Sequence, residues 1–439
     1  MENKDATRRS SMQIHVVQSG QTLSGIAEAY GTTAEEIVRA NKLPNPDKLV
    51  VGQALVIPIV GRFYWVQRGE TLWSIARRFS IPMQRLAEVN RLSLNAPLKV
   101  GQRLYIPPGA KRRAEFNAYI EPRGATVSPA LEASAREAAP YLTYLSPFYF
   151  AIRRDATLQE PPLDDFPDIA RANRVTLVMV VANIENGQFS DELGALMLTN
   201  ETLQNRLLDN IVATARRYGF RDIHFDFEYL RPEDREAYNA FLRKAKRRFA
   251  REGWMMSTAL APKTSATQRG RWYEAHDYCA HGQIVDFVVI MTYEWGYSGG
   301  PPMPVSPIGP VRRVLEYAIS EMPAGKILMG QNLYGYDWTL PYVPGGPYAQ
   351  ALSPQQAIAL AAKYNVAIEY DTEAQAPHFR YRDENGREHE VWFEDARSIQ
   401  AKFNLVKELG LRGVSYWKLG IDFPQNWLLI ADQFTVVKK

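Results

Sequence analysis

Cysteine is nearly absent: the chain of 439 residues contains one, Cys279. A single thiol excludes an intramolecular disulfide and every metal site built from a cysteine cluster. Histidine is also scarce, and five of the six histidines show no metal-ligand spacing: His15, His276, His281, His378 and His389. A Gly-rich phosphate-binding loop is missing as well. We therefore expect neither a metal nor another cofactor.

Long apolar runs are missing too. The longest, Val175 to Ile184, is far too short to span a bilayer. The first residues, MENKDATRRSSMQ, are charged and contain no apolar core, so they do not predict a secretory signal. We expect a protein that is synthesised in the cytoplasm, has no membrane-inserted segment and is exported, if at all, by another route.

Charge is unevenly distributed along the chain. Residues 1–113 contain 17 Lys and Arg against 8 Asp and Glu, whereas the whole chain has a net charge of +4. A basic segment favours an anionic partner. Nucleic acid is not the expected partner, because these cations are scattered and no pattern of stacking aromatic residues accompanies them. For most of them a solvated surface is the simpler interpretation.

The basic segment consists of one sequence unit that occurs twice. His15 to Pro58 recurs as Tyr64 to Pro107, at a constant offset of 49 positions and without a gap. Each unit reads as a strand, a Gly turn, a helix, a short helix, an Asx turn and a strand. Thr22 and Thr71 stand where the first helix needs an N-cap, since apolar residues follow them at helical spacing.

Both units resemble LysM modules, which fold as βααβ and bind N-acetylglucosamine-containing glycans of peptidoglycan and chitin. The resemblance rests on V-x-x-G-x-T-L-x-x-I-A, a central Asn and V-G-Q-x-L-x-I-P, each present twice. It implies that glycan lies against the Gly-x-Thr-Leu turn and the loop after the Asn. The glycan-binding candidates are Gly20, Thr22, Asn41, Gly69, Thr71 and Asn90. Turn and cap formation alone explains these residues equally well.

From Ala114 onward, apolar segments alternate with amphipathic helical stretches. Eight segments are strand candidates, and they begin at Phe116, Leu142, Arg174, Asp222, Trp254, Val285, Lys326 and Gly413. Eight strands alternating with helices predict an α/β fold, a (β/α)8 TIM barrel. The length of this part, about 320 residues, lies within the range of that fold with insertions.

The longest interval between strand candidates separates the seventh from the eighth. Within it, His378 to Phe393 alternates around Asn385-Gly386, a strong hairpin signal. We predict a small α+β insertion at about 340–393. The predicted domains are a first module at 13–59, a second module at 62–108, a linker rich in Pro, Gly and basic residues at 109–115, and the barrel at 116–435.

The stretch RDIHFDFEYL, Arg221 to Leu230, alternates between a polar and an apolar face. Barrel strands are buried on both faces, so the apolar face is expected to pack on helices and the polar face to point into the barrel. Burial costs a carboxylate on the order of several kcal/mol unless it is paired or neutralised. Asp226 and Glu228 share the polar face, and their repulsion is expected to raise one pKa. A protonated carboxyl beside an ionised one suits glycosidic cleavage.

The motifs IHFDFE, VIMTYEWG and GVSYWKLG together resemble glycoside hydrolase family 18, which has D-x-D-x-E on its fourth strand, M-x-Y near its sixth and an indole on its eighth. The resemblance implies that Glu228 protonates the leaving oxygen and that Asp226 orients the substrate's 2-acetamido group. Tyr293 would hydrogen-bond the acetamido carbonyl, and Trp417 would form the floor of the −1 sugar site. Met291, from the same M-x-Y motif, is a further substrate-binding candidate. Core packing is the alternative for Tyr293 and Trp417.

The same resemblance implies substrate-assisted catalysis. The acetamido oxygen attacks the anomeric carbon in place of an enzyme nucleophile, and water opens the resulting oxazolinium with net retention. Asn332 and Tyr334 are further candidates for lining the groove, although core packing explains them equally well. His224 replaces the first Asp of D-x-D-x-E, and a satisfied core histidine is the alternative to a direct role. Chitinases also have Asp where this chain has Glu294, so both positions argue against an ordinary chitinase.

Two LysM modules followed by such a barrel resemble the spore cortex-lytic N-acetylglucosaminidases of spore-forming bacteria. That resemblance implies cleavage after N-acetylglucosamine in cortex peptidoglycan, a preference for glycan with muramic-δ-lactam, a role in germination and a spore-associated protein without a signal peptide. A chitinase-like hexosaminidase acting outside spores shares the mechanism and differs in substrate. A catalytically silent, lectin-like wall-binding protein is the second alternative, and the presence of both Asp226 and Glu228 argues against it.

Overall fold

Eight parallel strands form a closed barrel in the structure, a computed structural model that describes residues 12–43 and 45–439. In chain order the strands are Arg112–Ile120, Tyr144–Pro147, Thr176–Ala182, Asp222–Asp226, Met255–Leu260, Phe287–Ile290, Ile327–Asn332 and Gly413–Trp417. Each strand pairs with the next in the chain, and the eighth pairs with the first. The predicted (β/α)8 barrel is thereby confirmed. Most of the charged N-terminal stretch lies outside the described residues, because these begin at Met12.

Helices cover the outside of the barrel because each strand presents apolar residues outward. In the third strand, Thr176–Ala182, every residue is buried, as expected where one face lines the interior and the other meets helices. The surrounding helices are Pro129–Ala138, Phe166–Ala172, Asp191–Thr199, Glu201–Tyr218, Arg235–Ala250, Tyr278–Ile284, Ile308–Glu321, Ala396–Glu408 and Pro424–Gln433. Within residues 12–43 and 45–439, none of the helices has both the length and the apolarity that a bilayer span requires.

The insertion between the seventh and eighth strands is a five-stranded antiparallel sheet with one helix, Pro354–Tyr364. Its strands are Gly335–Thr339, Gln350–Leu352, Glu369–Asp371, Ala376–Arg382 and Glu388–Trp392. It begins at Gly335, earlier than the predicted boundary near 340, because the seventh strand candidate divides after Asn332. A Cβ atom on Gly335 would lie 2.2 Å from the carbonyl oxygen of Trp392, so only glycine allows this strand pairing.

The first barrel strand begins at Arg112, inside the segment predicted as a linker at 109–115. The guanidinium of Arg112 donates hydrogen bonds to the carbonyl oxygens of Val406, at 2.7 Å, and Leu411, at 2.5 Å. A short strand, Phe434–Val436, pairs in parallel with the start of the same strand. The basic cluster that resembles a linker is therefore partly strand, and the barrel begins before residue 116.

The two N-terminal modules have the same order of elements. The first has strands Gln13–Val16 and Ala54–Ile57 and helices Leu23–Tyr30 and Ala34–Asn41. The second has strands Arg62–Trp65 and Arg103–Ile106 and helices Leu72–Arg78 and Met83–Val89. In each module the two strands pair antiparallel and a separate apolar core lies beneath the helices. This is the predicted βααβ arrangement.

The first module is docked on the barrel and its insertion. The Ile368 amide donates to the Val51 carbonyl at 2.8 Å, and Arg397 donates to the Gly52 carbonyl at 3.0 Å. Lys42 forms ion pairs with Glu137 at 2.8 Å and Asp422 at 3.1 Å. These bonds hold the module against two parts of the chain that are distant in sequence.

Gly52 allows the close contact of this interface. Its φ is +83°, and an added Cβ would lie 1.8 Å from the Ile368 carbonyl oxygen. Gly101 occupies the same position of the second repeat with φ +80° and has nothing within 4 Å of an added Cβ. The turn requires glycine in both modules, but only in the first does the insertion fill the adjacent space.

Candidate active site

A cavity of about 1220 Å³ lies at the C-terminal ends of the barrel strands. It brings together six residues from four separate parts of the sequence: Asp226, Glu228, Met291, Tyr293, Tyr334 and Trp417. Five of them lie at or just beyond the ends of the fourth, sixth and eighth strands, and Tyr334 follows the seventh. This is the end of a barrel that carries the catalytic residues of such folds.

The two carboxylates are positioned by the end of the fourth strand. Asp226 is its last residue, and Glu228 follows two positions later; their exposed fractions are 5% and 8%. Asn183, after the third strand, holds the Glu228 backbone, because its Oδ1 accepts the Glu228 amide and its Nδ2 donates to the Glu228 carbonyl, both at 3.0 Å. Two neighbouring strands therefore fix the position of Glu228.

Burial sets the protonation of this pair. Removal from water raises the pKa of Glu228 well above its ordinary value, and the negative charge of Asp226 raises it further. Burial also raises the pKa of Asp226. A hydrogen bond from the indole Nε1 of Trp272 to Oε2 of Glu228 acts in the opposite direction and lowers the Glu228 pKa. Burial and the neighbouring charge thus favour the protonated form of the Glu228 carboxyl.

Trp272 and Tyr229 are cavity residues that the sequence patterns do not reveal. Their rings stack at 6.1 Å with an interplanar angle of 12°. The alternation of RDIHFDFEYL predicts that Tyr229 packs on helices, and that prediction is wrong. The strand ends at Asp226, and Tyr229 adopts a φ of +54°, which turns its side chain to the cavity with 44% of it exposed.

The loop after the sixth strand supplies the opposite wall of the cavity. Met291 and Tyr293 are buried at its edge, and Glu294 follows with a φ of +66°. The Glu294 carboxylate accepts hydrogen bonds from the hydroxyls of Tyr334 and Tyr336. Burial raises the pKa of Glu294, and the two tyrosine hydroxyls lower it. Tyr334 thus lines the cavity and also fixes a third carboxyl group.

Trp417, the last residue of the eighth strand, forms the floor of the cavity. Its indole contacts the edges of Tyr119 and Phe148, with ring centroids 5.5 and 4.9 Å away. Lys418 lies over the same indole at 5.3 Å and forms an ion pair with Glu121. The indole thus adds an aromatic surface to the cavity lining, of a kind on which sugar rings pack.

Two predicted substrate-binding residues do not line the cavity. His224 is buried inside the barrel, where its Nε2 bonds the Tyr119 hydroxyl and its Nδ1 bonds Oγ of Ser257, both at 2.8 Å. Asn332 is fully buried, and its Nδ2 donates to the Tyr334 carbonyl at 2.7 Å. Both side chains find their partners within the protein and lie outside the cavity lining, and their contact with substrate stays a prediction.

The glycan-binding candidates of the modules fall into two groups. Asn41 is fully buried, where its amide bonds the Ile37 carbonyl and both the amide and the carbonyl of Val56, each at 2.8 Å. Asn90 makes the equivalent bonds to Leu86 and Tyr105. These two amides connect a helix to a strand inside each module, which gives them a structural role, and their contact with glycan stays a prediction.

The other four candidates form the turns that open the first helix of each module. Thr22 and Thr71 accept the amides of Gly25 and Ser74 as N-caps. Gly20 and Gly69 have φ of +79° and +81°, with nothing within 4 Å of an added Cβ. Gly20 and Thr22 also line a cavity of about 570 Å³ that Trp65 of the second module borders.

Across the described ranges 12–43 and 45–439, no cluster of three or more His, Cys, Asp or Glu side chains is arranged to hold a metal ion. The residues that line the cavity provide carboxyl groups for acid–base chemistry, aromatic surfaces and hydroxyls. Such a set suits the binding of a sugar and proton transfer to its glycosidic oxygen.

Comparison with known proteins agrees with this geometry. The sequence model of glycosyl hydrolases family 18 matches residues 128–422, and that of the LysM domain matches 15–58 and 64–107. A cortical fragment-lytic enzyme of Bacillus subtilis (strain 168) is 70% identical over 428 residues, which cover 98% of this chain and 99% of that protein. A cortical fragment-lytic enzyme of Bacillus anthracis is 57% identical over 98% of this chain and its own whole length.

A solved structure is similar over nearly the whole molecule. The crystal structure of the Bacillus megaterium QM B1551 spore cortex-lytic enzyme SleL matches with a TM-score of 0.92 and 57% identity, covering 98% of this chain and 100% of that one. The match includes both modules, the barrel and the insertion. With its two LysM domains, a closed parallel barrel and paired acidic residues at the end of the fourth strand, the chain belongs to the glycosyl hydrolases of family 18.

Proposed function

We propose that this protein is an N-acetylglucosaminidase that lyses spore cortex peptidoglycan during germination. It cleaves the bond after N-acetylglucosamine with retention of configuration, while its LysM modules bind the same glycan. The relatives named cortical fragment-lytic and spore cortex-lytic enzymes support the substrate class. The same relatives support a spore-associated protein that acts on cortex glycan. Muramic-δ-lactam in that glycan is a further part of the proposal.

The observation that carries the proposal is the burial of Asp226 and Glu228 in one cavity. In that environment the pKa of Glu228 is raised well above its ordinary value, which favours the protonated carboxyl that a proton donor needs. Trp272 and the Asn183 clamp hold Glu228 in a single position. We assign to Glu228 the protonation of the leaving oxygen.

Asp226 and Tyr293 are assigned to the acetamido group of the substrate. Asp226 has a buried oxygen, Oδ1, without a hydrogen-bond partner, which is available to accept the acetamido N–H. Tyr293 lies in the same cavity and can donate its hydroxyl proton to the acetamido carbonyl. Held in this way, the acetamido oxygen attacks the anomeric carbon, the bond to the leaving oxygen breaks, and that oxygen takes the proton of Glu228.

The environment of the other cavity carboxyls supports a substrate nucleophile. Glu121 is paired with Lys418, Asp422 is paired with Lys42, and Glu294 is bonded to two tyrosine hydroxyls. None of the three is left free to attack an anomeric carbon, in contrast to the two-carboxylate arrangement of most retaining glycosidases. In the second step, water attacks the oxazolinium from the face opposite to the acetamido oxygen and returns a proton to Glu228.

The test compares wild type with Glu228→Gln on purified cortex peptidoglycan and on chitin oligomers. Glu233→Gln is the matched control, because Glu233 is exposed on the surface near the site. We expect reducing N-acetylglucosamine by mass spectrometry, a loss of about 10²–10⁴ in rate for Glu228→Gln, and no change for the control. The first product observed by NMR should retain the β configuration.

Four results would contradict the proposal. Muramic acid at the new reducing ends would overturn the assigned bond. An inverted first product would exclude the acetamido mechanism. Equal inertness of wild type and Glu228→Gln on every glycan would indicate a silent wall-binding protein, and a preference for chitin over cortex would indicate a chitinase-like hexosaminidase.

A further inference from the structure

The hydrogen-bond ladder between the fourth and fifth strands stops just before the catalytic acid. It begins where the Met255 amide donates to the Arg221 carbonyl, at 3.0 Å, and the strands pair in register as far as Phe225. In a parallel pair such a bond recurs at every second residue. Continued to the ends of the two strands, the series would join the Ala261 amide to the Phe227 carbonyl. A side chain stands between these two groups instead.

The imidazole of His276 bridges the two strand ends. The Ala261 amide donates to its Nδ1 at 2.9 Å, and its Nε2 lies 2.8 Å from the carbonyl oxygen of Phe227. An amide can only donate and a carbonyl can only accept, so Nδ1 carries no proton and Nε2 carries one. The side chain is 1% exposed, and burial lowers its pKa to about 4, which agrees with this neutral form. The imidazole thus replaces one bond of the ladder.

The bond to Phe227 acts on the peptide group that leads into Glu228. The carbonyl of that peptide belongs to Phe227 and accepts from His276, while its N–H belongs to Glu228 and donates to Oδ1 of Asn183 at 3.0 Å. A peptide group is planar, so bonds at both of its ends fix its orientation. The Glu228 side chain starts at the next Cα atom, and the orientation of this plane therefore sets the direction of the carboxyl.

His276 also holds the loop that carries Trp272. Its amide donates to the Tyr273 carbonyl at 3.1 Å, and Nζ of Lys263 donates to its carbonyl at 3.0 Å. All four polar groups of this histidine are therefore bonded. Trp272, four positions earlier in the same loop, donates its indole N–H to the Glu228 carboxyl. The peptide before Glu228 and the indole on its carboxyl are thus both connected to one residue.

We propose that His276 is a positioning residue for Glu228, acting through the Phe227–Glu228 peptide and through the loop of Trp272. It does not line the cavity, so it acts on the acid and not on the sugar. Without the Nε2 donor the peptide plane is free to turn, and the carboxyl moves relative to the leaving oxygen. A displacement of about 1 Å costs on the order of 10²-fold in rate. This role rests on the proposed function of Glu228.

A second buried histidine in the same region provides the matched control. His281 is 0% exposed, and its ring centroid lies 6.3 Å from that of His276. Its Nδ1 bonds Oγ1 of Thr258, in the fifth strand, at 2.9 Å. Replacing either histidine removes a buried imidazole with a similar bond, but only His276 is bonded to the peptide before Glu228.

The first test follows the indole N–H of Trp272 by NMR in protein labelled with ¹⁵N-tryptophan. The signal is assigned by its loss in Trp272→Phe. We expect His276→Asn to move it toward the position of a solvent-exposed indole, because asparagine is too short to reach the Phe227 carbonyl. His281→Asn should leave it in place. An unchanged signal in His276→Asn would overturn the proposal. This readout needs no substrate, so it remains valid if the proposed function fails.

The second test separates positioning from general support of the fold. We expect His276→Asn to lower kcat on cortex glycan about 10–100-fold and to change KM less than about 3-fold. His276→Gln restores a donor at the position of Nε2, so its kcat should lie within about 3-fold of wild type. His281→Asn should keep the wild-type kcat. The Tm of each variant measures how much stability the loss of a buried imidazole costs.

Three results of the second test would overturn the proposal: equal kcat losses in His276→Asn and His281→Asn, a His276→Gln as slow as His276→Asn, or a raised KM at unchanged kcat. If His276→Asn does not fold, His276→Gln decides. A kcat within about 3-fold of wild type then supports the proposal, and a loss above about 10-fold overturns it.

Discussion

The indole of Trp272 donates a hydrogen bond to the carboxyl oxygen Oε2 of Glu228. The two residues are 44 positions apart, and Trp272 comes from the loop between the fifth strand and the helix Tyr278–Ile284. This bond is the one hydrogen bond that lowers the raised pKa of Glu228. Trp272 therefore both aims the acid and tunes its strength.

Trp272→Phe should raise the pKa of Glu228 further. The phenyl ring keeps the stack on Tyr229 but removes the donor that favours the ionised carboxyl. We expect the alkaline limb of the kcat profile to move to higher pH and kcat at its maximum to fall about 10-fold. A pH–rate profile of both proteins checks this, and an alkaline limb that stays in place would show that the indole does not tune the acid.

Glu228→Gln should stabilise the fold in alkaline but not in acidic solution. The folded-state pKa of Glu228 is raised, so between its ordinary value and the raised value the folded protein holds a proton that the unfolded chain has lost. Stability therefore falls as the pH rises through this window, and glutamine abolishes that fall. Calorimetry should show a higher Tm for Glu228→Gln than for wild type at pH 8 and nearly equal values at pH 4. A difference of the same size at both pH values would contradict the burial argument, and Glu233→Gln should match wild type at both.

Gly52→Ala should loosen the first module, whereas Gly101→Ala should only strain its turn. Both positions have φ near +80°, so alanine costs each about 1–2 kcal/mol. At Gly52 the new methyl group also collides with the Ile368 carbonyl, which belongs to the insertion. We expect faster proteolysis between module and barrel for Gly52→Ala alone. Equal proteolysis of the two variants would show that the module is not held at this glycine.

Strand alternation and motif spacing were sufficient to predict the barrel and its acidic pair. Asp226 and Glu228 fall on the inward face of a strand that is buried on both faces, where carboxylates are costly unless they serve a function. The two-residue period of the sequence is enough to place them on that face. Trp417, Tyr293 and Met291 were assigned from the resemblance to family 18, and all three line the cavity, while their roles stay predictions. They meet there because the strand ends of a barrel converge in space whatever their separation in sequence.

Other features depend on tertiary contacts that no local pattern contains. Tyr229 turns into the cavity because the strand ends three residues earlier, and Trp272 reaches Glu228 from a loop without regular structure. Asn41 and Asn90 hold equivalent positions in the two repeats, yet Gln425 of the barrel donates a hydrogen bond to Asn41 Oδ1, at 2.8 Å. The bonds by which these amides join a helix to a strand become visible only when the two elements are packed together.

The docked first module has a consequence for how glycan can reach the cavity. Gln355 and Asp422 belong to the cavity wall, and each also bonds the first module, through the Asn41 carbonyl and through Lys42. A module on a flexible tether would raise the local concentration of glycan without fixing which glycosidic bond reaches the cavity. With the module fixed beside the cavity, we expect a glycan chain held on its surface to present to Glu228 only the glycosidic bonds at one set distance from the module.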